Sequence, residues 1–197
     1  MPTPKSIARK LQKGRKDILG APALPTDWES MVLPENLKLT VQGDRFLIME
    51  KVVGHKGEKI FGFASDNMLS ILNSSQEWFV DGTFDVTRHT LFAQVRTLLC
   101  FQFVYFGYFQ AWIIVAKIGE FSVPCAFFLL IDKTWTSYQK CLQSLVENNI
   151  MGPTRVHLDY EAGEQKAFSD VFPTTSVTGC DFHFKQALRY VFYHLNS

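Results

Sequence analysis

Short apolar runs separated by polar turns dominate the first half of the chain after residue 36. Residues 37–41 alternate between apolar and polar positions, and apolar residues concentrate again at 46–53 and 60–63. Alternation with a period of two, bounded by turn residues, is typical of β-strands. The pattern therefore predicts a small β-rich lead-in over residues 37–76, which ends in a short helix.

Two later apolar runs each end in an aspartate. Residues 78–80 lead directly into Asp81, and the run at 156–158 leads into Asp159. A buried strand that ends in a lone carboxylate delivers an acid to the edge of a sheet. Two such strands are able to hold a divalent metal ion between their carboxylates.

Helical spacing of apolar residues appears in the second half of the chain. After the strand at 121–131, the pattern predicts a helix over 134–149, then the strand that carries Asp159. The remaining predicted elements are a helix at 162–171, a strand at 176–180 and a helix at 182–195. This order predicts a mixed α/β layer fold with an antiparallel start and a later parallel βαβ portion.

Residues 97–116 contain no charged side chain, and this run has three interpretations. Its length matches a membrane span. Gln102 and Gln110 interrupt it, however, and aromatic and β-branched residues dominate it, which favours a buried hairpin that turns near Gly107. A non-native inserted peptide is the third interpretation. We favour the buried segment, with an antiparallel return strand at 91–99, and we expect no membrane partner.

Residues 1–36 differ in composition from the rest of the chain. They contain several prolines and no apolar segment of the kind that a signal peptide requires. The segment is interpreted either as a solvated tail or as a nuclear-import or phosphate-contacting segment. Its basic residues are Lys5, Arg9, Lys10, Lys13, Arg15 and Lys16.

Overall charge and cysteine usage add two constraints. The net charge of +1 gives no global electrostatic reason for a nucleic-acid partner, so such a partner requires a local basic patch. The four cysteines form no CxxC pair and no zinc-finger spacing. We expect those in apolar surroundings to behave as small core residues in a reducing compartment.

Four segments in order resemble the catalytic core of the Mutator-like (MULE) DNA transposases. They are WFVDGTF at 78–84, DKTWTSYQKCLQSL at 132–145, RVHLDYEAGEQKAF at 155–168 and FPTTSVTGCDFHFKQAL at 172–188. The resemblance implies a ribonuclease-H-like mixed sheet with flanking helices over residues 77–197. It also implies a nuclear protein whose partner is DNA at transposon ends.

The chemistry that this resemblance implies is metal-dependent DNA cleavage and strand transfer. In the family, two Asp and one Glu bind two divalent ions, which activate the nucleophile and stabilise the leaving oxygen. By resemblance, Asp81 and Asp159 are the first two ligands, and hard carboxylate oxygens suit Mg²⁺ or Mn²⁺. Glu161 is interpreted either as an assisting ligand or, preferably, as a residue that begins the next helix.

The last matched segment carries the family's Cys-x-x-His motif, at Cys180 and His183. A structural or DNA-end-positioning role is favoured over zinc binding, because no further zinc ligands are evident nearby. Lys185 and Arg189 lie one helical turn apart in the predicted final helix. They are interpreted either as phosphate contacts or as its solvated face.

The chain departs from the family pattern in two places. The family's third catalytic residue, a Glu, lies well downstream, and no acidic residue follows Asp181. We therefore expect a core that is incomplete at its C-terminus and impaired in catalysis, unless a partner supplies the missing Glu in trans. The protein partners considered are a second copy of the chain, in a homo-oligomer, and a complementing transposase chain. The alternative is a domesticated, non-catalytic module that binds DNA or protein. The segment 96–117 is interpreted as extra to the family fold.

Overall fold

The computed structural model describes residues 32–54, 57–83, 110–159 and 161–179. The strands are β1 (Leu47–Val52), β2 (Lys59–Phe63), β3 (Glu77–Thr83), β4 (Gln110–Ile118), β5 (Phe121–Leu130), β6 (Arg155–Leu158) and β7 (Ser176–Gly179). The helices are α1 (Glu35–Lys38), α2 (Asp66–Ser74), α3 (Trp135–Glu147) and α4 (Ala162–Val171). The predicted strand at 91–99 and the predicted helix at 182–195 lie outside the described residues.

One mixed sheet contains the seven strands of the described residues, in the order β1-β2-β5-β4-β3-β6-β7. Along this sheet order, the neighbouring strands from β1 to β3 pair antiparallel. The pairs β3–β6 and β6–β7 are parallel. Helices α3 and α4 are the crossovers that the parallel strands require. The predicted α/β class, with an antiparallel start and a parallel βαβ portion, is confirmed.

Capping residues fix where two of these helices begin. Ser65 precedes α2 and its hydroxyl accepts a hydrogen bond from the Met68 amide at 3.3 Å. Thr134 caps α3 in the same way, and its hydroxyl accepts a hydrogen bond from the Ser137 amide at 3.3 Å. Each hydroxyl satisfies one of the amides that a helix start leaves without an internal partner. Both predicted helices are therefore confirmed.

The main core lies between one face of the sheet and helices α2, α3 and α4. Its largest fully buried side chains include Trp78 on β3, Trp112 on β4 and Phe168 on α4. Successive strand residues alternate between faces, so the even-numbered residues of β3 and β4 face these helices. On the opposite face, Leu33 and Leu37 pack with Phe61 and other apolar strand residues.

Cysteines behave as core residues where the structure describes them. Cys125 on β5 and Cys141 on α3 are free and buried. Cys100 and Cys180 lie outside the described residues.

The sequence interpretation is wrong at two places within the lead-in and the uncharged run. Residues 37–41 form no strand: α1 ends at Lys38, Leu39 makes an isolated bridge to Arg45, and Val41 is 97% exposed. A helical turn that buries Leu37 prevails over the short alternation, which is too brief to specify a strand. Residues 110–117 form most of β4, the strand between β3 and β5. This agrees with the favoured interpretation of the run as a buried segment and contradicts its interpretation as extra to the fold.

No helix among the described residues is long and apolar enough to cross a membrane. Residues 97–109 of the uncharged run lie outside the described residues. The part that is described, from Gln110 onward, pairs on both sides within the sheet.

Alanine substitutions at two glycines distinguish the stability cost of backbone strain from that of steric crowding. Gly43 and Gly152 both have positive φ, of 90° and 85°, but a Cβ on Gly43 meets nothing within 4 Å, whereas one on Gly152 collides with the Phe172 ring. We expect Gly43→Ala to cost about 1–2 kcal/mol from the left-handed backbone alone. Gly152→Ala should cost about 1–3 kcal/mol more, because Phe172 must move.

Urea unfolding of the two variants measures this difference directly. Equal destabilisation by the two alanines would show that the Phe172 ring moves without cost and that packing at the end of α4 is loose.

Candidate active site

Asp81 and Asp159 come together at one edge of the sheet. The parallel ladder between β3 and β6 pairs Glu77 with Arg155, Trp78 with Val156 and Phe79 with His157. The ladder ends at this last pair; extended by two residues, its register would bring Asp159, which directly follows β6, next to Asp81. Both residues are near the carboxyl ends of neighbouring parallel strands, where residues of equal register share one face.

Side-chain contacts confirm which face this is. The rings of Phe79 and His157 stack with centroids 4.8 Å apart and an interplanar angle of 15°. Asp81 follows Phe79 by two residues on β3, so strand alternation directs it to that same face, away from helices α3 and α4, while Asp159 directly follows the last residue of β6. Asp81 is exposed and Asp159 is half-buried. The pair is therefore accessible to solvent at the strand ends.

A charged cluster occupies the other end of this face, around Glu77. His157 Nε2 donates to Glu77 Oε1 at 2.7 Å, and Lys117 Nζ lies 3.0 Å from Glu77 Oε2. Arg155 Nη1 is 3.6 Å from Glu77 Oε1, and Thr178 Oγ1 is 3.0 Å from His157 Nδ1. The hydrogen bonds from His157 and Lys117 lower the pKa of Glu77 from 4.5 to about 2.

A buried carboxyl lies on the helix side of the same edge. Glu164, in the first turn of α4, is only 3% exposed. Its Oε1 accepts a hydrogen bond of 2.6 Å from Nε1 of Trp112, which is itself fully buried on β4. The pKa of Glu164 is raised from 4.5 to about 8, mainly by burial and also by the charges of Glu161, Asp159 and Asp81, against the hydrogen bond from Trp112, which lowers it. Glu164 is therefore mainly protonated and neutral at pH 7.

A chain of hydrogen bonds runs beside Glu164. Gln110 Nε2 donates to the Tyr138 hydroxyl at 2.7 Å, and that hydroxyl donates to Glu161 Oε1 at 3.1 Å. Lys133 Nζ holds the other oxygen, Glu161 Oε2, at 3.0 Å. Burial raises the pKa of Tyr138 well above its ordinary value of 10, so it remains a neutral donor. Glu161 is thereby fixed at the start of α4.

The predicted role of Glu161 as a helix-starting residue is confirmed. It is the N-cap of α4, and its backbone carbonyl accepts from the Gln165 amide at 3.1 Å. Its carboxylate is turned towards Lys133 and Tyr138. Because both oxygens have these partners, the structure favours the helix-starting interpretation over the assisting-ligand interpretation.

The sequence interpretation did not single out Glu164. The signal that identifies it is its place on the apolar side of α4, because Ala167, Phe168 and Val171 follow at spacings of three, four and seven residues. An acid on a buried helical stripe requires a specific partner or a raised pKa. Its partner, Trp112, is distant in sequence, so the hydrogen bond between the two residues cannot be predicted from the sequence pattern.

The described residues contain no group of three His, Cys, Asp or Glu side chains placed to hold a metal ion. Two carboxylates side by side are nevertheless a suitable donor set for Mg²⁺, which commonly takes one or two carboxylates and completes its shell with water or phosphate oxygens. The edge therefore fits a hard divalent ion at Asp81 and Asp159, held by fewer protein ligands than the family pattern provides.

The other predicted site residues, Cys180, His183, Lys185 and Arg189, lie outside the described residues. β7 ends at Gly179, directly before the first of them.

Neither a family model, nor a curated protein, nor a solved structure matches the chain. A function for the chain therefore has to be inferred from the sequence resemblance and from the geometry of this edge.

The buried carboxyl of Glu164 makes stability depend on pH with a definite sign. Below pH 4.5 the folded and unfolded states both keep the proton; between pH 4.5 and about 8 only the unfolded state releases it, so the folded state loses stability as pH rises. Glu164→Gln removes this titration and keeps an acceptor for Trp112. We expect the variant to gain stability over the parent across this window, up to about 4 kcal/mol at the alkaline end.

Urea unfolding at pH 5, 6.5 and 8 in EDTA tests this expectation. Glu120→Gln, in the exposed turn between β4 and β5, is the control and should show no such trend. A difference between Glu164→Gln and the parent that stays constant across these pH values would contradict the assigned burial.

For Glu77, the predicted change of folding stability with pH has the opposite sign from that for Glu164. A carboxylate whose folded-state pKa is lowered stabilises the protein above its unfolded value of 4.5, and that contribution disappears as pH falls towards about 2. Glu77→Gln should therefore lower the melting temperature at pH 7, with the deficit shrinking between pH 4.5 and 2. Glu147→Gln, which loses an exposed pair with the single partner Lys51, should change it little.

Thermal unfolding monitored by circular dichroism provides the comparison. If the Glu77→Gln deficit were as large at pH 2.5 as at pH 7, the loss would come from packing and not from the charge of Glu77.

Proposed function

We propose that this chain is a ribonuclease-H-like, Mutator-like transposase-derived core whose ancestral reaction is metal-dependent DNA cleavage and strand transfer. The observation that carries the proposal is the parallel pairing of β3 with β6, two neighbouring strands of which one contains Asp81 and the other leads directly into Asp159. A ribonuclease-H-like core predicts an antiparallel meander joined through helices to two parallel strands. The arrangement β5-β4-β3-β6-β7 supports the proposal on this point.

Asp81 and Asp159 would hold Mg²⁺ or Mn²⁺ through their carboxylate oxygens. When bound, such an ion supplies Lewis-acid activation of a water or a 3′-hydroxyl and stabilises the leaving oxygen. The chain's own contribution is to present the exposed Asp81 and the half-buried Asp159 on a rigid sheet edge. Rigid strands hold such ligands more accurately than loops do.

Catalysis by this polypeptide is proposed to be impaired. The two aspartates lack a third acidic ligand among the described residues. Two carboxylates neutralise the charge of two divalent ions incompletely, which weakens binding. A complementing transposase chain that carries the third Glu would restore the site.

DNA at transposon ends is the proposed partner, and the nucleus is the proposed location. Lys185 and Arg189 are proposed as phosphate contacts, and Cys180 with His183 as a structural or DNA-end-positioning motif. The role of Cys180 and His183 follows from the sequence resemblance, and that of Lys185 and Arg189 from their spacing of one helical turn in the predicted final helix. The second candidate function is a non-catalytic module that binds DNA or protein through the same fold.

Calorimetric titration with Mn²⁺ tests the aspartate pair. We expect weak but measurable binding by the intact chain, and a loss larger than the roughly tenfold cost of disturbing an outer-shell partner when Asp81→Asn and Asp159→Asn are combined. Asp44→Asn, which changes an exposed aspartate in the turn before β1, is the matched control and should bind as the parent does.

Binding of DNA oligonucleotides, measured once with Mn²⁺ and once in EDTA, separates the two candidate functions. Binding that needs Mn²⁺ and is lost in the double variant supports the transposase-derived site. DNA binding without metal, unchanged by Asp81→Asn, together with no Mn²⁺ binding by the parent, would replace it with the non-catalytic module.

A further inference from the structure

We propose that Glu164 is a positioning residue that sets the separation of Asp81 and Asp159 through its hydrogen bond to Trp112. The proposal deepens the function proposed above and rests on it for the role of the aspartates. The bond itself joins two elements that otherwise reach the sheet edge independently, namely strand β4 and helix α4.

Each end of this bond is close in structure to one aspartate. Trp112 on β4 is the Cα partner of Gly82 on β3, the residue after Asp81. Glu164 belongs to the first turn of α4, which begins three residues after Asp159. Any shift of α4 along the sheet therefore moves Asp159 relative to Asp81, and the bond of 2.6 Å opposes that shift.

The surroundings of Glu164 make the bond rigid. Its carboxyl and the Trp112 indole are both buried, so water does not compete for the N–H donor. The Trp112 ring also packs against Tyr138 at 5.0 Å and against Phe168 at 6.2 Å between centroids. Gly163, directly before Glu164, lets the first turn of α4 approach the backbone of Lys133, since a Cβ there would lie 3.1 Å from the Lys133 carbonyl oxygen.

A positioning role fits this geometry better than direct ligation. Strand alternation places Trp112 on the helix side of the sheet and Asp81 on the opposite side. Within the described ranges, no metal-ligand group of three forms at this edge, Glu164 included. A carboxyl that is neutral at pH 7 acts as an acceptor for Trp112, which an amide reproduces.

The test compares two substitutions of Glu164. Glu164→Gln keeps an acceptor for Trp112, whereas Glu164→Leu fills a similar volume without one. We expect Glu164→Gln to bind Mn²⁺ within about threefold of the parent, and Glu164→Leu to bind it about 10–100-fold more weakly, as the loss of an outer-shell partner does elsewhere. Ser144→Ala, which removes a buried hydroxyl from α3, controls for general destabilisation and should bind as the parent does.

A second readout needs no metal. Amide hydrogen exchange in EDTA should quicken about tenfold at residues 81, 82 and 159 in Glu164→Leu, while Glu164→Gln and Ser144→Ala should leave the exchange rates of these amides as they are in the parent. Trp112→Phe removes the donor and should give the same local increase. The effects of Glu164→Leu and Trp112→Phe should not add in the double variant, because both remove one bond.

Three results would overturn the proposal. Equal loss of Mn²⁺ affinity in Glu164→Gln and Glu164→Leu would show that the Glu164 carboxylate itself binds the metal ion. Unchanged affinity and unchanged exchange in folded Glu164→Leu would remove any positioning role, as would additive effects in the double variant. Absence of Mn²⁺ binding by the parent would instead refute the proposed function, while the exchange data would still decide whether the bond holds the strand ends.

Discussion

Parallel pairing between β3 and β6 is the constraint on which the candidate site depends. Side chains of a strand change face at every residue, so a slip of one position would turn Asp159 away from Asp81. Interactions on both sides of the sheet oppose such a slip. On one side, Phe79 stacks on His157, which also bonds to Glu77; on the other, Trp78 is fully buried and packs edge-on against Phe172.

Polar groups beneath the sheet edge distinguish this site from an ordinary strand end. Most cores exclude carboxyls, yet Glu164 is buried and Gln110 Oε1 is buried without a donor among the described residues. Burying such groups costs free energy unless they are paired, so the network is a less stable solution than an apolar core of the same volume. It compensates by fixing the start of α4 in one geometry.

The sequence predicted the elements whose signals are local. The strands that lead to Asp81 and Asp159, and the capped helices α2 and α3, were found from periodicity and capping residues. The bond between Trp112 and Glu164 was not, because it joins residues that are distant in the chain and depends on the sheet order. The buried segment that contains β4 was expected, but its interpretation as extra to the fold was wrong for a related reason: a continuous apolar run carries no period that separates a central strand from an insertion.

The long chain separation between β3 and β6 has a consequence for how the protein is made. Residues 77–83 leave the ribosome well before their parallel partner at 155–158, because a long stretch that includes β4, β5 and α3 is synthesised in between. Until then the apolar strand that carries Asp81 has one open edge, and an unpaired strand edge is where newly made chains associate wrongly. Non-local pairing of this kind also forms slowly. The same contact that creates the site thus makes its assembly the slow and vulnerable step of biogenesis.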